Sequence, residues 1–301
     1  MTTQVRGVIA AITTPVTEHG APDTARFLSR AEYLLENGCD GLNVLGTTGE
    51  ATSFTVDARE RLMNEIGRSS LPTDRMLVGT GAAALGDAVR LTMAAAANGF
   101  AGALVLPPFY YKPLSQAGLL EFFKVLLGAT NAPSIPTYLY NFPALTGVTY
   151  TPDIVRALVA AFGDRIAGLK DSSGDLAYAK EIAAISPKLA VFPSNEGTLL
   201  QARDGGPFAG CISATANLTS KDCGLAYQTG DADALARAVA LRGAFDGLPL
   251  VPGVKALVAQ LTGDPSHARV LPPLSELTAS EHAELLKRYA ALSQTSEEIR
   301  A

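Results

Sequence analysis

Cysteine is scarce in this 301-residue chain. Cys39, Cys211 and Cys223 form an odd, widely spaced set without a C-x-x-C pair, which argues against a zinc or redox dithiol site and leaves reduced thiols in a cytoplasmic protein as the simplest account. Histidine is equally rare. His19, His267 and His282 lack ligand spacing and read as surface or structural residues, so no metal is expected. Charged residues make up 18% of the chain, with a formal net charge of -5 and no Lys/Arg-rich run, so there is no electrostatic footprint for nucleic acid or an anionic membrane. Long apolar runs are also missing. The region Leu91 to Leu106 is broken by Asn98-Gly99, too early to span a bilayer. Val8 to Ile12 is short and is stopped by Thr13-Thr14-Pro15 without a cleavage signal, so it reads as a first strand rather than a leader. No G-x-G-x-x-G opens a helix after an early strand, no G-K-[ST] is present, and no repeat of solenoid period appears.

What remains is a chain with 48% hydrophobic residues, enough for one large domain with an appendage. Short β-type runs alternate with longer Ala/Leu-rich stretches of helical period, the pattern of βα units on a parallel sheet. Strands are expected at Gly7 to Thr13, Gly41 to Leu45, Met76 to Gly79, Gly102 to Leu106, Thr137 to Tyr140, Ile166 to Leu169, Ala190 to Pro193 and Gly210 to Ser213. Helices are expected between them, at Thr24 to Glu36, Val56 to Arg68, Ala84 to Ala97, Gln116 to Leu127, Pro152 to Ala161, Leu176 to Ile185 and Glu196 to Arg203. Eight strands with intervening helices predict an α/β fold, a (β/α)8 TIM barrel over residues 1–225, and the missing dinucleotide fingerprint disfavours an open doubly wound sheet. Residues 226–301 read as a C-terminal helical appendage, with helical stretches at Lys221 to Phe245, Val254 to Leu261 and Ser280 to Leu292.

In such barrels catalytic groups sit where strands end. Lys170 closes the apolar run Arg165-Ile166-Ala167-Gly168-Leu169-Lys170, just before the polar turn Asp171-Ser172-Ser173-Gly174-Asp175. Burial disfavours the ammonium form and favours a free amine able to attack a carbonyl. The same hexapeptide also suits a strand-end lysine whose stem lies on apolar surface while its head stays wet. Gly46-Thr47-Thr48-Gly49-Glu50 follows the second strand; its hydroxyls and closely approachable backbone suit a small carboxylate, or a plain turn. Tyr111, in Pro107-Pro108-Phe109-Tyr110-Tyr111, and Tyr140, in Tyr138-Leu139-Tyr140-Asn141, are ordinary barrel aromatics or members of a Thr-Tyr-Tyr proton relay.

Taken together, these four motifs and the segment Gly210-Cys211-Ile212-Ser213-Ala214-Thr215-Ala216-Asn217 resemble the dihydrodipicolinate synthase / N-acetylneuraminate lyase family over nearly the whole chain. The resemblance implies a cofactor-free class I aldolase, a carbon-carbon or carbon-oxygen lyase in which Lys170 forms an imine with pyruvate or a larger 2-oxo acid. By the same resemblance, Thr48 and the Gly49 backbone hold the carboxylate, Tyr140 moves protons, Thr47 and Tyr111 complete the relay, and Ile212 lends its carbonyl. Tyr111 would reach the active site of a neighbouring subunit, implying a homo-oligomer, a dimer of dimers.

Where family members make the lysine precursor, an arginine stands two residues after the proline of the Tyr-Asn-X-Pro segment and grips the carboxylate of aspartate semialdehyde. Here that residue is Leu145, which forfeits a charge-assisted interaction of roughly 1.5 to 3 kcal/mol. The run from Tyr140 to Gly147 and Ser172 just past the lysine look like the sialic-acid lyase branch and suit a hydroxylated substrate. Asn195-Glu196 resembles the pair that holds sugar hydroxyls there, or is a helix N-terminus that favours Asn and Glu anyway. Thr47-Thr48 and Ala214 depart from that branch, which usually carries Ser-Thr and a hydroxyl at those places. The mixture points to a pyruvate-dependent lyase of a hydroxylated 2-oxo acid such as a 2-keto-3-deoxy sugar acid. The synthase proper is the alternative, and a pyruvate-binding regulator without turnover is a third reading.

Overall fold

The computed structural model describes residues 4–132 and 134–298. Residues 1–3, ahead of the expected first strand, and 299–301, at the end of the expected C-terminal region, lie outside the described residues.

The described residues form eight strands: β1 Gly7–Ala11, β2 Gly41–Val44, β3 Met76–Gly79, β4 Gly102–Val105, β5 Thr137–Asn141, β6 Ile166–Asp171, β7 Ala190–Pro193 and β8 Gly210–Ser213. They pair in parallel in the order β7-β6-β5-β4-β3-β2-β1-β8. A bond of 2.9 Å from the Ala209 N–H to the Val191 carbonyl spans the remaining seam, so the sheet curls into a nearly closed (β/α)8 barrel. The barrel and loop helices are α1 Thr24–Glu36, α2 Val56–Arg68, α3 Leu85–Ala97, α4 Gln116–Ala129, α5 Pro143–Thr146, α6 Pro152–Phe162, α7 Leu176–Ala183, α8 Leu199–Arg203 and α9 Ala216–Thr229. Then follow α10 Ala232–Gly243, α11 Leu250–Thr262 and α12 Ala279–Glu298. Among the described residues no helix is long and apolar enough to cross a membrane.

Most helix starts carry the chemistry expected of them. Asp23, Thr55, Ser115, Thr151 and Asp175 accept bonds from first-turn N–H groups of α1, α2, α4, α6 and α7, satisfying donors the helix itself cannot. The expected helical stretch Lys221 to Phe245 is two helices, because Gly230 turns left-handed at φ 83° and Asp231 caps α10. The stretch Glu196 to Arg203 begins as a 3-10 turn, Glu196–Thr198, before α8. Strand β6 runs two residues beyond its apolar stretch, since Lys170 and Asp171 still pair with Tyr140 and Asn141 on one side and Phe192 and Pro193 on the other.

Alternation along the strands divides the core. Val8, Ala10, Val44, Val78, Val105, Leu139 and Leu169 face the helices, while Ile9, Leu77, Leu104, Tyr138, Tyr140, Phe192 and Ile212 fill the barrel. Tyr138 is the largest fully buried side chain of that interior. Its ring has room because glycines on both neighbouring strands, Gly102 and Gly168, lie against it, and an added Cβ at either would lie 2.6 Å or 2.7 Å from the ring. A third apolar cluster, built on Phe245, Val254, Leu257, Val258 and Leu285, joins α10, α11 and α12 and meets the barrel at Ala214. Helix α9 packs on β1 and carries the chain across residue 225.

Two outcomes follow from this packing. In Gly168→Ala the new Cβ would stand 2.2 Å from the Ala190 carbonyl oxygen, a backbone atom that cannot swing aside, so stability should fall by about 1–3 kcal/mol, read as a lower urea midpoint. An unchanged midpoint would contradict the packing. All three thiols are buried, and burial pushes Cys39 up to about 12 and Cys211 and Cys223 well above the ordinary range. The thiols therefore stay protonated at pH 8, and a chromogenic disulfide reagent should label none of them until denaturant is added. Rapid labelling of the native protein would contradict it.

Candidate active site

The parallel register places Tyr140 directly opposite Lys170. Both side chains point into the barrel at its C-terminal end, one layer above Tyr138, and Lys170 is only 4% exposed. The Lys170 Nζ donates to the Tyr140 hydroxyl at 3.1 Å and lies 4.3 Å from the centre of the same ring. The Tyr140 hydroxyl is also 3.0 Å from Thr47 Oγ1. Because the amine uses the phenol oxygen as acceptor, the phenol proton is free to point toward Thr47. Amine, phenol and threonine form a continuous hydrogen-bonded chain.

Thr47 and Thr48 sit on a turn with two non-glycine residues in left-handed conformation, Leu45 at φ 51° and Glu50 at φ 54°, a backbone state that needs support from its surroundings. Gly49 allows the turn to press against the barrel rim, since a Cβ there would lie 3.0 Å from Thr14 Oγ1 and 3.2 Å from the Ile12 carbonyl. Support comes from Glu50. Its fully buried carboxylate forms an ion pair with the equally buried Nζ of Lys255 on α11 and accepts from the Leu271 N–H at 2.6 Å. Lys255 also donates to the Thr14 carbonyl at 3.0 Å. Burial pushes Lys255 below the usual lysine range, and the Glu50 charge opposes that. Losing one partner of such a pair costs about 3–5 kcal/mol, so the threonine turn is firmly tied to the C-terminal helices.

On the other side of Lys170, Asp171 points away from the barrel interior. It accepts from Asn141 Nδ2 at 2.8 Å, from the Ser173 N–H at 3.1 Å and from Ser173 Oγ at 2.8 Å. The Ser172 N–H donates to the Asn141 carbonyl at 2.8 Å. These bonds extend the β5–β6 ladder just past the Lys170 amine.

A cavity of about 480 Å³ opens above this chain, lined by Thr47, Thr48, Tyr140, Lys170, Ser172 and Ile212, and also by Arg242 and the segment from Pro249 to Pro252. Its size suits a small-molecule substrate. A neighbouring space of about 280 Å³ shares Thr47, Tyr140, Phe142 and Leu145 with it. The remaining expected residues are arranged differently. Gly49 is buried beneath the threonines. Asn195 and Glu196 do not line the cavity: Asn195 Oδ1 caps the 3-10 turn through the Gly197 N–H at 2.7 Å, and Glu196 is fully buried, bonded to Ser213, Thr215 and Arg242. Tyr111 is 80% exposed, stacked edge-on against Tyr110 at 5.2 Å, and lines neither space within one chain.

Sequence reasoning passed over three residues of this neighbourhood. Lys255 was detectable as a lone charge within the apolar run Leu250-Val251-Pro252-Gly253-Val254-Lys255-Ala256-Leu257-Val258, and Glu50 as the end of the threonine motif. Arg242 carries no such signal, being one basic residue among several on the C-terminal helices.

Residues 4–292 match the model of the dihydrodipicolinate synthetase family. An uncharacterized DapA-like lyase of Chloroflexus aurantiacus is 35% identical, covering 94% of this chain and 96% of that protein. A 4-hydroxy-tetrahydrodipicolinate synthase of Synechococcus sp. (strain CC9605) is 33% identical, covering 96% and 95%. Among solved structures, dihydrodipicolinate synthase from Agrobacterium tumefaciens superimposes with a TM-score of 0.88 at 28% identity, over 95% of this chain and 99% of that one. A 2-keto-3-deoxygluconate aldolase from Sulfolobus solfataricus shares the fold, with a TM-score of 0.84 at 22% identity over 98% of both chains. This chain belongs to the dihydrodipicolinate synthetase family and is a lyase of the class I aldolase type.

Proposed function

We propose that the protein is a pyruvate-dependent lyase that cleaves, forms or dehydrates a hydroxylated 2-oxo acid, a 2-keto-3-deoxy sugar acid or a near relative, through an imine on Lys170. The observation that carries this reading is the unbroken chain from Lys170 Nζ to the Tyr140 hydroxyl to Thr47 Oγ1, at 3.1 Å and 3.0 Å. A buried amine bonded to a phenol oxygen is placed to add to a ketone carbon. Tyr140 then supplies the proton with which the carbinolamine hydroxyl leaves as water. The Tyr140 phenolate left by that step takes the C4 hydroxyl proton, the C3–C4 bond breaks, and the protonated imine nitrogen accepts its electron pair, giving an enamine and an aldehyde. Protonation of the enamine at C3 and hydrolysis return pyruvate and the free lysine. Thr48 and the Gly49 backbone suit the C1 carboxylate, holding the 2-oxo carbon against Lys170, and Ser172 on the rim suits a substrate hydroxyl. The covalent imine supplies the electron sink, so the proposed chemistry calls on no cofactor.

Leu145, 64% exposed and apolar, favours this reading over the synthase because it offers nothing to a semialdehyde carboxylate at the position where the resemblance expects arginine. The synthase remains the second reading, supported by the curated relatives named 4-hydroxy-tetrahydrodipicolinate synthase at 33% identity. We place Tyr111 in the relay of a neighbouring copy within a dimer of dimers. Its 80% exposure on a loop after β4 leaves the phenol available to such a copy.

Three measurements test these assignments. Pyruvate release should be detected from at least one member of a panel of hydroxylated 2-oxo acids, measured beside aspartate semialdehyde consumption in the presence of pyruvate. Turnover of the semialdehyde alone would favour the synthase, and turnover of neither would contradict both readings. Tyr140→Phe should lower kcat by about 10²- to 10⁴-fold, and a value near wild type would remove Tyr140 from proton transfer. Tyr111→Phe and Lys170→Ala chains, each poorly active alone, should regain activity when coexpressed, because some sites in a mixed oligomer combine an intact lysine with a neighbour's intact tyrosine. Absence of rescue would place Tyr111 outside the neighbour's site.

A further inference from the structure

The cavity above Lys170 holds a second cation, Arg242 on α10. Its side chain is 29% exposed, and Nη1 alone is engaged, donating to Glu196 Oε2 at 3.2 Å and to Ser213 Oγ and Thr215 Oγ1 at 3.3 Å each. Glu196 is already served by the hydroxyls of Ser213 and Thr215, so this buried cluster holds the guanidinium by one corner without using its other nitrogens. Among the described residues, Nε and Nη2 of Arg242 make no hydrogen bond. Those two nitrogens share one edge of the planar group, the edge whose parallel N–H bonds fit both oxygens of a carboxylate. The lining of the same cavity includes the apolar Ala214, Leu250, Val251 and Leu274, and a partly enclosed apolar setting strengthens a charged contact relative to one in open water.

We propose that Arg242 binds a second, distal carboxylate of the substrate, so that the preferred 2-oxo acids are diacids reaching from Lys170 to the Nε/Nη2 edge. Glu196 is then a positioning residue that acts through Arg242 and does not itself hold a sugar hydroxyl. This narrows the substrate class of the site and rests on the reading of Lys170 as the imine-forming lysine.

The test uses two acids of equal chain length, 2-oxoadipate and 2-oxohexanoate, which differ in the terminal carboxylate. The full-length protein is reduced with borohydride over a range of each acid, and the Lys170 adduct is measured by mass. The diacid should reach half-maximal trapping at a concentration about tenfold lower than the monoacid. In Arg242→Gln the two concentrations should converge. Trapping with pyruvate, which has no second carboxylate, reports whether a variant is folded with a live lysine. Should Arg242→Gln fail that control, Arg242→Lys decides, because it retains the charge without the two-pronged edge and should show a reduced preference. Equal trapping of the two acids by the wild type, or a full preference in the deciding variant, overturns the proposal. Failure of the wild type to trap pyruvate at all would strike instead at the imine on Lys170.

Discussion

The register between β5 and β6 is the constraint on which the site depends. Side chains along a strand alternate between faces, so a slip of one residue between these strands would turn either Tyr140 or Lys170 out of the barrel and separate the pair. The register is held from below by Tyr138, whose ring occupies the space left by Gly102 and Gly168 and packs near Phe192, with ring centres 6.3 Å apart. It is held from above by the bonds joining Asn141, Asp171 and Ser173. Between these two fixtures the amine has little freedom, and its bond to the phenol is a consequence of strand pairing rather than of a flexible search by a long side chain.

The second constraint comes from outside the barrel. The threonine turn includes left-handed residues at both ends, a conformation that alanine-like backbones avoid. The buried ion pair between Glu50 and Lys255, with the Leu271 N–H on the same carboxylate, secures that turn from the C-terminal segment. Helix α11 therefore does more than cover apolar surface. It contributes the charge that holds the threonines facing Tyr140, and its first residues wall the cavity. Barrel and C-terminal helices meet at the cavity above Lys170.

Much of this was legible in the sequence. The strand starts follow from short apolar runs, the helices from Ala/Leu-rich stretches of helical period, and the candidate lysine from its position where an apolar strand meets a polar turn. The motifs flanking it carried the family. What stayed hidden depends on contacts between distant segments. Glu50 and Lys255 are separated by 205 positions, so each reads alone as an oddly placed charge. Arg242 and Glu196 lie 46 positions apart, and nothing local distinguishes Arg242 from a solvated helix residue. Asn195 and Glu196 had two readings from sequence. The structure gives Asn195 the capping role and gives Glu196 a buried network, because the chain turns inward after β7. Tyr111 shows a different limit, since one chain's sequence and fold leave its phenol exposed and say nothing of what meets it.

The most direct measurement is peptide mapping of the protein reduced with borohydride in the presence of pyruvate. The account predicts a single stable adduct, confined to the peptide that contains Lys170 and lost in Lys170→Arg. An adduct on any other lysine, or an unmodified Lys170 at saturating pyruvate, would contradict it.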